Sequence, residues 1–535
     1  LSLSESLAKT ATPEVLAEVC RCVAVLGDNV RVDLLMPFLE ALGLAVDIDA
    51  ALDPLLDVGL LVEGPIGPYE RVALEPALLR ELLLGDTRPR KRRKLERLAA
   101  DVRIRWAGAH ADGEASAIGD HLEAAGEPQD AVPWWRRSMR FGVQSGAPSQ
   151  SVRAGLKALQ YLDHESEAHA EIAITTGRLL LDMGELADAA SVLMPITRAS
   201  HADHALRAGD VLADVYENAG QGAAWDSLID AMSQREDEAG PTGLGALYCA
   251  RSMWLNSRGQ RERGFTEAQR AVETAQPGRE AQRAAQRLVY TCLSRGDLAL
   301  GEEVARKALE HAGADPELKA RSLRALGVVL VWKQRGTDAI VCFEALLKLA
   351  RRHGFIARLP IGWHDLGEAF RVNGQLVEAR DAYGHALRTA TEMQLTSSVE
   401  LIQPKLIICD LLEGHTEGVL DTIARFVPSA MAAGLALAEP FGHMLSAWAY
   451  ALDGDLSGAQ GAYDAVADMR DMAIDPQFPR IMEEIGVAFS RSPSLETHEH
   501  HRQHAREALS LAAEFWMRYG QTDRSAHCDS LQATL

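Results

Sequence analysis

Residues 363–386 run WHDLGEAFRVNGQLVEARDAYGHA. Two amphipathic runs of helical length flank Gly374, with large residues at Trp363, Leu366, Phe370 and Tyr383 and small ones at Gly367, Ala379 and Ala386. Small residues let two antiparallel helices approach closely, and large ones fill the groove toward the next pair. The intervening glycine sits where a helix C′ residue would. The arrangement recurs in both directions along the chain. Gly184, Gly220, Gly259, Gly296, Gly336, Gly374, Gly414 and Gly454 follow one another at intervals of 36, 39, 37, 40, 38, 40 and 40 residues. Each is followed by a second amphipathic stretch, as in GELADAASVL (184–193) and GDLSGAQGAYDAV (454–466). The spacing predicts a helix–turn–helix unit of about 38 residues, repeated at least eight times over residues 165–475.

Weaker copies keep part of the set: Leu212 and Tyr216 before Gly220, Leu326, Gly327, Ala339 and Phe343 around Gly336, and Tyr450, Ala459 and Tyr463 around Gly454. The best-formed unit resembles the tetratricopeptide repeat, which wants a large residue, Leu-Gly, an aromatic, Gly, Ala, an aromatic and Ala at these offsets. Thr391 stands where the usual final Pro would be. The resemblance implies an all-α class: an α-solenoid of hairpins piled side by side in a curved ribbon, with no shared globular centre.

The chain has 535 residues, more than the ~250–300 at which a single core stops growing. Aromatic residues make up only 5%, so the interior is built from Ala, Leu and Val. Fifty-five basic and 76 acidic residues give a net charge of −21, which argues against bulk binding to the phosphate field of nucleic acid. Seven scattered cysteines with no CxxC pair point to a reduced, cytoplasmic compartment. No apolar run approaches the ~20 residues of a membrane span, and the first thirty residues lack a signal-peptide layout. A chain beginning at Leu1 rather than Met leaves open whether it is part of a longer protein.

Residues 1–86 break the period. TPEVLAEVCRCVAVLG (12–27), VDLLMPFLEALG (32–43) and DIDAALDPLLDVG (47–59) read as three helices, and GLLVEG (59–64) and YERVALE (69–75) as a hairpin around a Pro/Gly turn. That order predicts a small winged-helix module. Residues 87–164 read as a basic linking helix and the first helical hairpins, and residues 476–535 as capping helices that close the last apolar face. A winged helix, an Arg-rich helix (RRKLERLAADV, 92–102) and then DHLEAAGEPQDAVPWWRRS (120–138) leading into repeats resembles the MalT-like region of STAND-class signalling ATPases, found in large bacterial regulators and multidomain protein kinases. The resemblance implies a sensor and autoinhibitory arm beside a nucleotide-binding domain. No GxxxxGK[ST] occurs here, so any such domain is expected before Leu1.

No GxSxG elbow, distinctive carboxylate pair or phosphate-cradling loop is present, and neither enzymatic activity nor a cofactor is expected. The expected site is the concave groove, lined by the first helix of each hairpin, with a protein or peptide as partner. Transfer through the glycine phase gives an acidic zone (Arg207, Asp210, Asp214, Glu217), a basic zone (Arg283, Gln286, Arg287, Tyr290, Arg321, Arg324) and an apolar zone (Phe441, Met444, Trp448). His364 and Glu368 hold the inner positions of the best unit, where the carboxylate-clamp variety of this repeat has Lys and Asn. The arginines either hold an anionic group of a partner or pair with neighbouring acids along a hydrated face. His500 and His504, one turn apart in HEHHRQH, have the spacing of two metal ligands, against the alternative of an exposed polar face. Six basic residues among Arg88–Lys94 allow a second function: a transcriptional regulator that binds DNA through the winged helix and an inducer through the repeats.

Overall fold

The computed structural model describes residues 12–44, 46–64, 68–108, 111–393, 395–432, 435, 438–465, 478–491 and 499–535. Among these the chain forms 27 helices and one small sheet. None of the helices is long and apolar enough to cross a membrane. The chain divides into two compact units, Leu1–Gly142 with Ser149–Asp163, and Val143–Pro148 with His164–Leu535.

In the first unit α1 (Pro13–Leu26) starts with proline at its first turn, where the missing N–H is no loss. Strand β1 (Val30–Arg31) leads into α2 (Val32–Ala41); α3 (Ile48–Asp57) follows, capped by Asp47, whose carboxylate accepts from the Asp49 amide at 3.3 Å. Strands β2 (Leu61–Glu63) and β3 (Arg71–Leu74) complete an antiparallel sheet of order β1-β3-β2, with Val30 opposite Val72 and Leu61 opposite Leu74. Sequence anticipated the β2–β3 hairpin but not β1, which at two residues is too short to show an alternating pattern. Residues 65–67 of its turn lie outside the described residues. After α4 (Leu78–Asp86) comes α5 (Pro89–Ala107), and Leu95, Ala99 and Val102 of α5 join the core made by Val23, Leu35, Phe38 and Leu61. Then follow α6 (Ala111–Ala125), α7 (Pro128–Ser145) and α8 (Pro148–Leu159). A buried polar chain ties α5 to α6 and α1. Arg103 can only donate, so His121 Nε2 accepts from its Nε at 3.1 Å, and Nδ1 donates to Glu96 at 2.8 Å. Arg103 Nη2 also donates to the Leu26 carbonyl at 2.6 Å.

The second unit stacks eight hairpins: α9 (Glu167–Asp182) with α10 (Leu186–Ile196), α11 (Ala202–Asn218) with α12 (Gly222–Ser233), α13 (Pro241–Ser257) with α14 (Arg261–Thr274), α15 (Arg279–Arg295) with α16 (Leu298–His311), α17 (Pro316–Trp332) with α18 (Gly336–His353), α19 (Leu359–Val372) with α20 (Leu376–Glu392), α21 (Thr396–Leu412) with α22 (Val419–Ala432), and α23 (Ala438–Asp453) with α24 (Leu456–Asp464). The last helices are α25 (Phe478–Ser490), α26 (Glu499–Arg518) and α27 (Thr522–Ala533). Seven of the eight phase glycines have φ between 63° and 83°. The residue after each closes the helix with a bond to the carbonyl five positions back, as from Glu185 N to Leu180 O and from Gln375 N to Phe370 O, both 2.9 Å. Gly336 is the exception. Gln334, with φ 57°, makes that turn, whereas Gly336 opens α18 where an added Cβ would press on the Asn373 amide and the Ala369 carbonyl.

Within hairpins a second class of glycine sets the spacing. An added Cβ at Gly177, Gly327 or Gly367 would lie 2.5 Å from the side chain of Leu193, Phe343 or Tyr383 respectively. The ribbon also returns on itself. The Trp332 and Tyr519 rings lie 4.7 Å apart, Gln521 Nε2 donates to the Lys333 carbonyl at 3.2 Å, and Gly296 abuts the Arg518 backbone. One apolar cluster therefore runs from Val289 to Cys528. The expectation of hairpins with no shared centre is corrected here: the large side chains at the hairpin ends meet those of hairpins much later in the chain.

Gly367→Ala should lower stability by about 1–3 kcal/mol, because the methyl must displace the Tyr383 ring. Gly384→Ala, which meets only Arg388 Nη1 at 3.5 Å, should be neutral or stabilising by up to about 1 kcal/mol. Urea midpoints check both; equal shifts would remove the close approach as the cause.

Candidate binding groove

The first helices of the hairpins place the polar face. Asp210 and Asp214 stand on α11, Arg283, Arg287 and Tyr290 on α15, Arg321 and Arg324 on α17, and Asp365 on α19. Arg283 pairs with Asp210 through Nε and donates from Nη2 to Asp214 at 3.1 Å; Arg287 reaches Asp214 at 3.2 Å. Arg324 donates to Asp365 at 2.6 Å and to the Tyr290 hydroxyl at 3.3 Å. Gln286 donates to the same hydroxyl at 3.2 Å, and Arg207 pairs with Glu171. The acidic and basic zones expected to be separate are thus interlocked: guanidiniums on α15 span to carboxylates two hairpins earlier.

The network is not balanced everywhere. Glu317 accepts from Arg279 at 2.6 Å, Arg358 at 3.1 Å and Arg321 at 3.2 Å. Burial, and then Arg358, push Arg321 down to about 10. The facing Arg283, and then burial, push Arg178 on α9 down to about 10 as well. Burial works against the charge of Asp214, but Arg283, Arg287 and Arg178 hold its carboxyl below the usual range.

Other sequence candidates lie elsewhere. His364 is 8% exposed, with Nδ1 2.9 Å from Asp365. Glu368 is 6% exposed and accepts from Tyr383 at 2.5 Å and Arg371 at 3.0 Å. It also lies 3.9 Å from Lys405 on α21, the first helix of the next hairpin. Trp448 is 1% exposed and, with Met444, belongs to the apolar cluster, so the expected apolar zone is core. His504 and His501 are buried, not on an exposed face, because α26 lies against α25; His504 packs on Phe489 and Tyr463 and His501 on Phe489. The side chain of His500 lies outside the described residues. Among the described residues no group of three or more His, Cys, Asp or Glu side chains is placed to hold a metal ion. All seven cysteines are free and buried.

Sequence missed Arg178, Asp182, Glu317 and Arg358. A signal existed for the first: Arg178 stands six residues before Gly184, the register of Asp214 before Gly220 and Tyr290 before Gly296. The correct turn at Gln334 likewise gives Arg321 and Arg324 the register of Arg207 and Asp210.

No family description and no curated protein matches the chain. Similar solved structures include a Rap protein complexed with competence and sporulation factor (11% identity, 73% of this chain and 99% of that one, TM-score 0.48). Others are a STAND protein with a tetratricopeptide repeat sensor from Pyrococcus horikoshii (11%, 86% and 65%, 0.43) and yeast Tom70 (8%, 83% and 96%, 0.37). These are helical-repeat proteins, and no inference about this chain rests on likenesses of that size.

Arg324→Met should destabilise by about 1–3 kcal/mol, since Asp365 loses its guanidinium partner. Burial opposes the Asp365 charge, yet Arg324 and His364 hold its folded pKa below the unfolded one. The stabilisation is therefore full above pH ~4 and lost as pH falls further, so the gap to wild type should close in acid. Melting curves across pH 3–9 check the sign.

Proposed function

We propose that the chain is a non-catalytic binding and sensing region in which a tetratricopeptide-like solenoid takes a protein or peptide partner along the inner face of its first helices. The observation that carries this reading is the convergence of arginines from α9, α15 and α17, with Arg358, on one face of a chain whose net charge is −21. Such a face attracts and orients acidic groups while the rest of the surface repels them. The returning contacts support a sensing role. An occupant that shifts α17 also shifts Trp332 and Lys333, and with them the contacts to Tyr519 and Gln521.

The N-terminal module reads as a winged helix, supported by three helices and a β1-β3-β2 sheet. Its order ahead of the repeats supports the MalT-like reading, in which the region regulates an attached signalling ATPase, kinase or other effector. Duplex DNA fits this module poorly: α3 exposes Asp49, Asp53 and Asp57 and carries no basic residue. The exposed basic run at the start of α5 favours an acidic protein surface instead. The seven free cysteines support a cytoplasmic location.

Peptides selected for binding to the full chain should photo-crosslink to a probe at Gln286 and not to one at Val377 on the outward helix α20. Crosslinking only at Val377 would end the groove reading. ATP hydrolysis by the chain should stay at background, and duplex DNA should give no gel shift that survives moderate salt.

A further inference from the structure

We infer that the groove contains a site for a doubly charged oxyanion, built from Arg178, Arg321 and Arg358 around Asp182 and Glu317. This deepens the groove reading and rests on it. Arg178 makes no hydrogen bond or ion pair among the described residues, and Arg283, the charge it chiefly faces, is already committed to Asp210 and Asp214. Arg321 spends one Nη2 contact on Glu317, while its Nε is buried without a hydrogen-bond partner. Arg358 shares the same Glu317 carboxylate, as does Arg279. Asp182 is the second acid, and it feels Arg178, Arg321 and Arg358 together.

Three guanidiniums thus share the one Glu317 carboxylate, Arg321 and Arg358 from partly buried positions and Arg279 from the exposed rim, an excess of two positive charges at that point. Like charges brought together in this way oppose folding. Elsewhere the inner face is matched, as where Arg324 meets Asp365, so the surplus is local. Guanidinium forks bind planar or tetrahedral oxyanions through paired N–H donors, and the unspent donors here are of that kind. The matching ligand carries two negative charges on closely spaced oxygens: a phosphate group, or two neighbouring carboxylates of an acidic peptide.

Calorimetry on the full chain at low ionic strength, with inorganic phosphate and with acetyl-Glu-Glu-amide as probes, separates the two sources. Binding of either supports the site and names its chemistry; binding of neither overturns it. Arg178→Gln should weaken the bound probe about tenfold or more, the loss of a charge-assisted contact, while the chain stays folded at the assay temperature because no hydrogen bond or close ion pair is broken. Arg263→Gln with Arg425→Gln, exposed on the second helices α14 and α22, should leave binding unchanged. An equal loss in that control would assign the binding to general charge attraction and overturn the site. Selected peptides that crosslink at Gln286 yet bind Arg178→Gln as tightly as wild type would overturn the oxyanion site and leave the groove reading intact. Failure of all crosslinking at Gln286 would remove the groove reading whatever the probes do.

Discussion

The closest approach of two helices within a hairpin is the constraint on which the larger unit depends. A glycine on the first helix receives a large side chain sixteen residues later on the second: Leu193 over Gly177, Phe343 over Gly327 and Tyr383 over Gly367. The same offset places Trp135 over Gly119 in the other unit. With no Cβ in the way, the large side chain lies against the backbone of the first helix, which limits the rotation of each helix about its axis. That rotation decides which residues face the groove and which face the hairpin interior. At Gly367 it also has an electrostatic result: the Tyr383 ring lies on the glycine, and its hydroxyl reaches the Glu368 carboxylate.

Stacked hairpins ordinarily interact only with their neighbours, so a local change fades along the array. Here additional contacts bridge distant hairpins. The end of α17 meets the end of α26 through Trp332, Lys333, Tyr519 and Gln521, and Gly146 meets Ile356. The arginines of α17 lie on the helix whose last turn makes the first of these bridges. A change in the groove is thereby connected to the C-terminal helices by rigid helix rather than by loop.

Much of this was written in local pattern. The turn glycines and the helix count between Gly184 and Gly454 follow from spacing and residue size; that Tyr383 packs on Gly367 of its own hairpin, and not only toward the next, does not. Where local pattern misled, the reason was physical. Gly336 has the right spacing for a turn, but its missing Cβ serves contact with Asn373, while Gln334 adopts the left-handed conformation. His364, Glu368 and Trp448 hold the same register positions as true groove residues. All three are buried, but so are Asp210 and Asp365, so burial alone does not separate groove from interior; Trp448 is set apart by its place in the apolar cluster.

The sequence by itself determined the repeat and its period, because these depend on residue size and on neighbours three, four and about 38 residues away. The partners of the charges were decided only by tertiary structure. Arg283 and Asp210 are 73 residues apart, and nothing in a periodicity of 3.6 or of 38 fixes which carboxylate a long guanidinium will reach. The sharing of Glu317 by Arg279, Arg321 and Arg358 likewise exists only once α15, α17 and the turn before α19 are brought together, because charge balance is a property of a place in space and not of a stretch of chain.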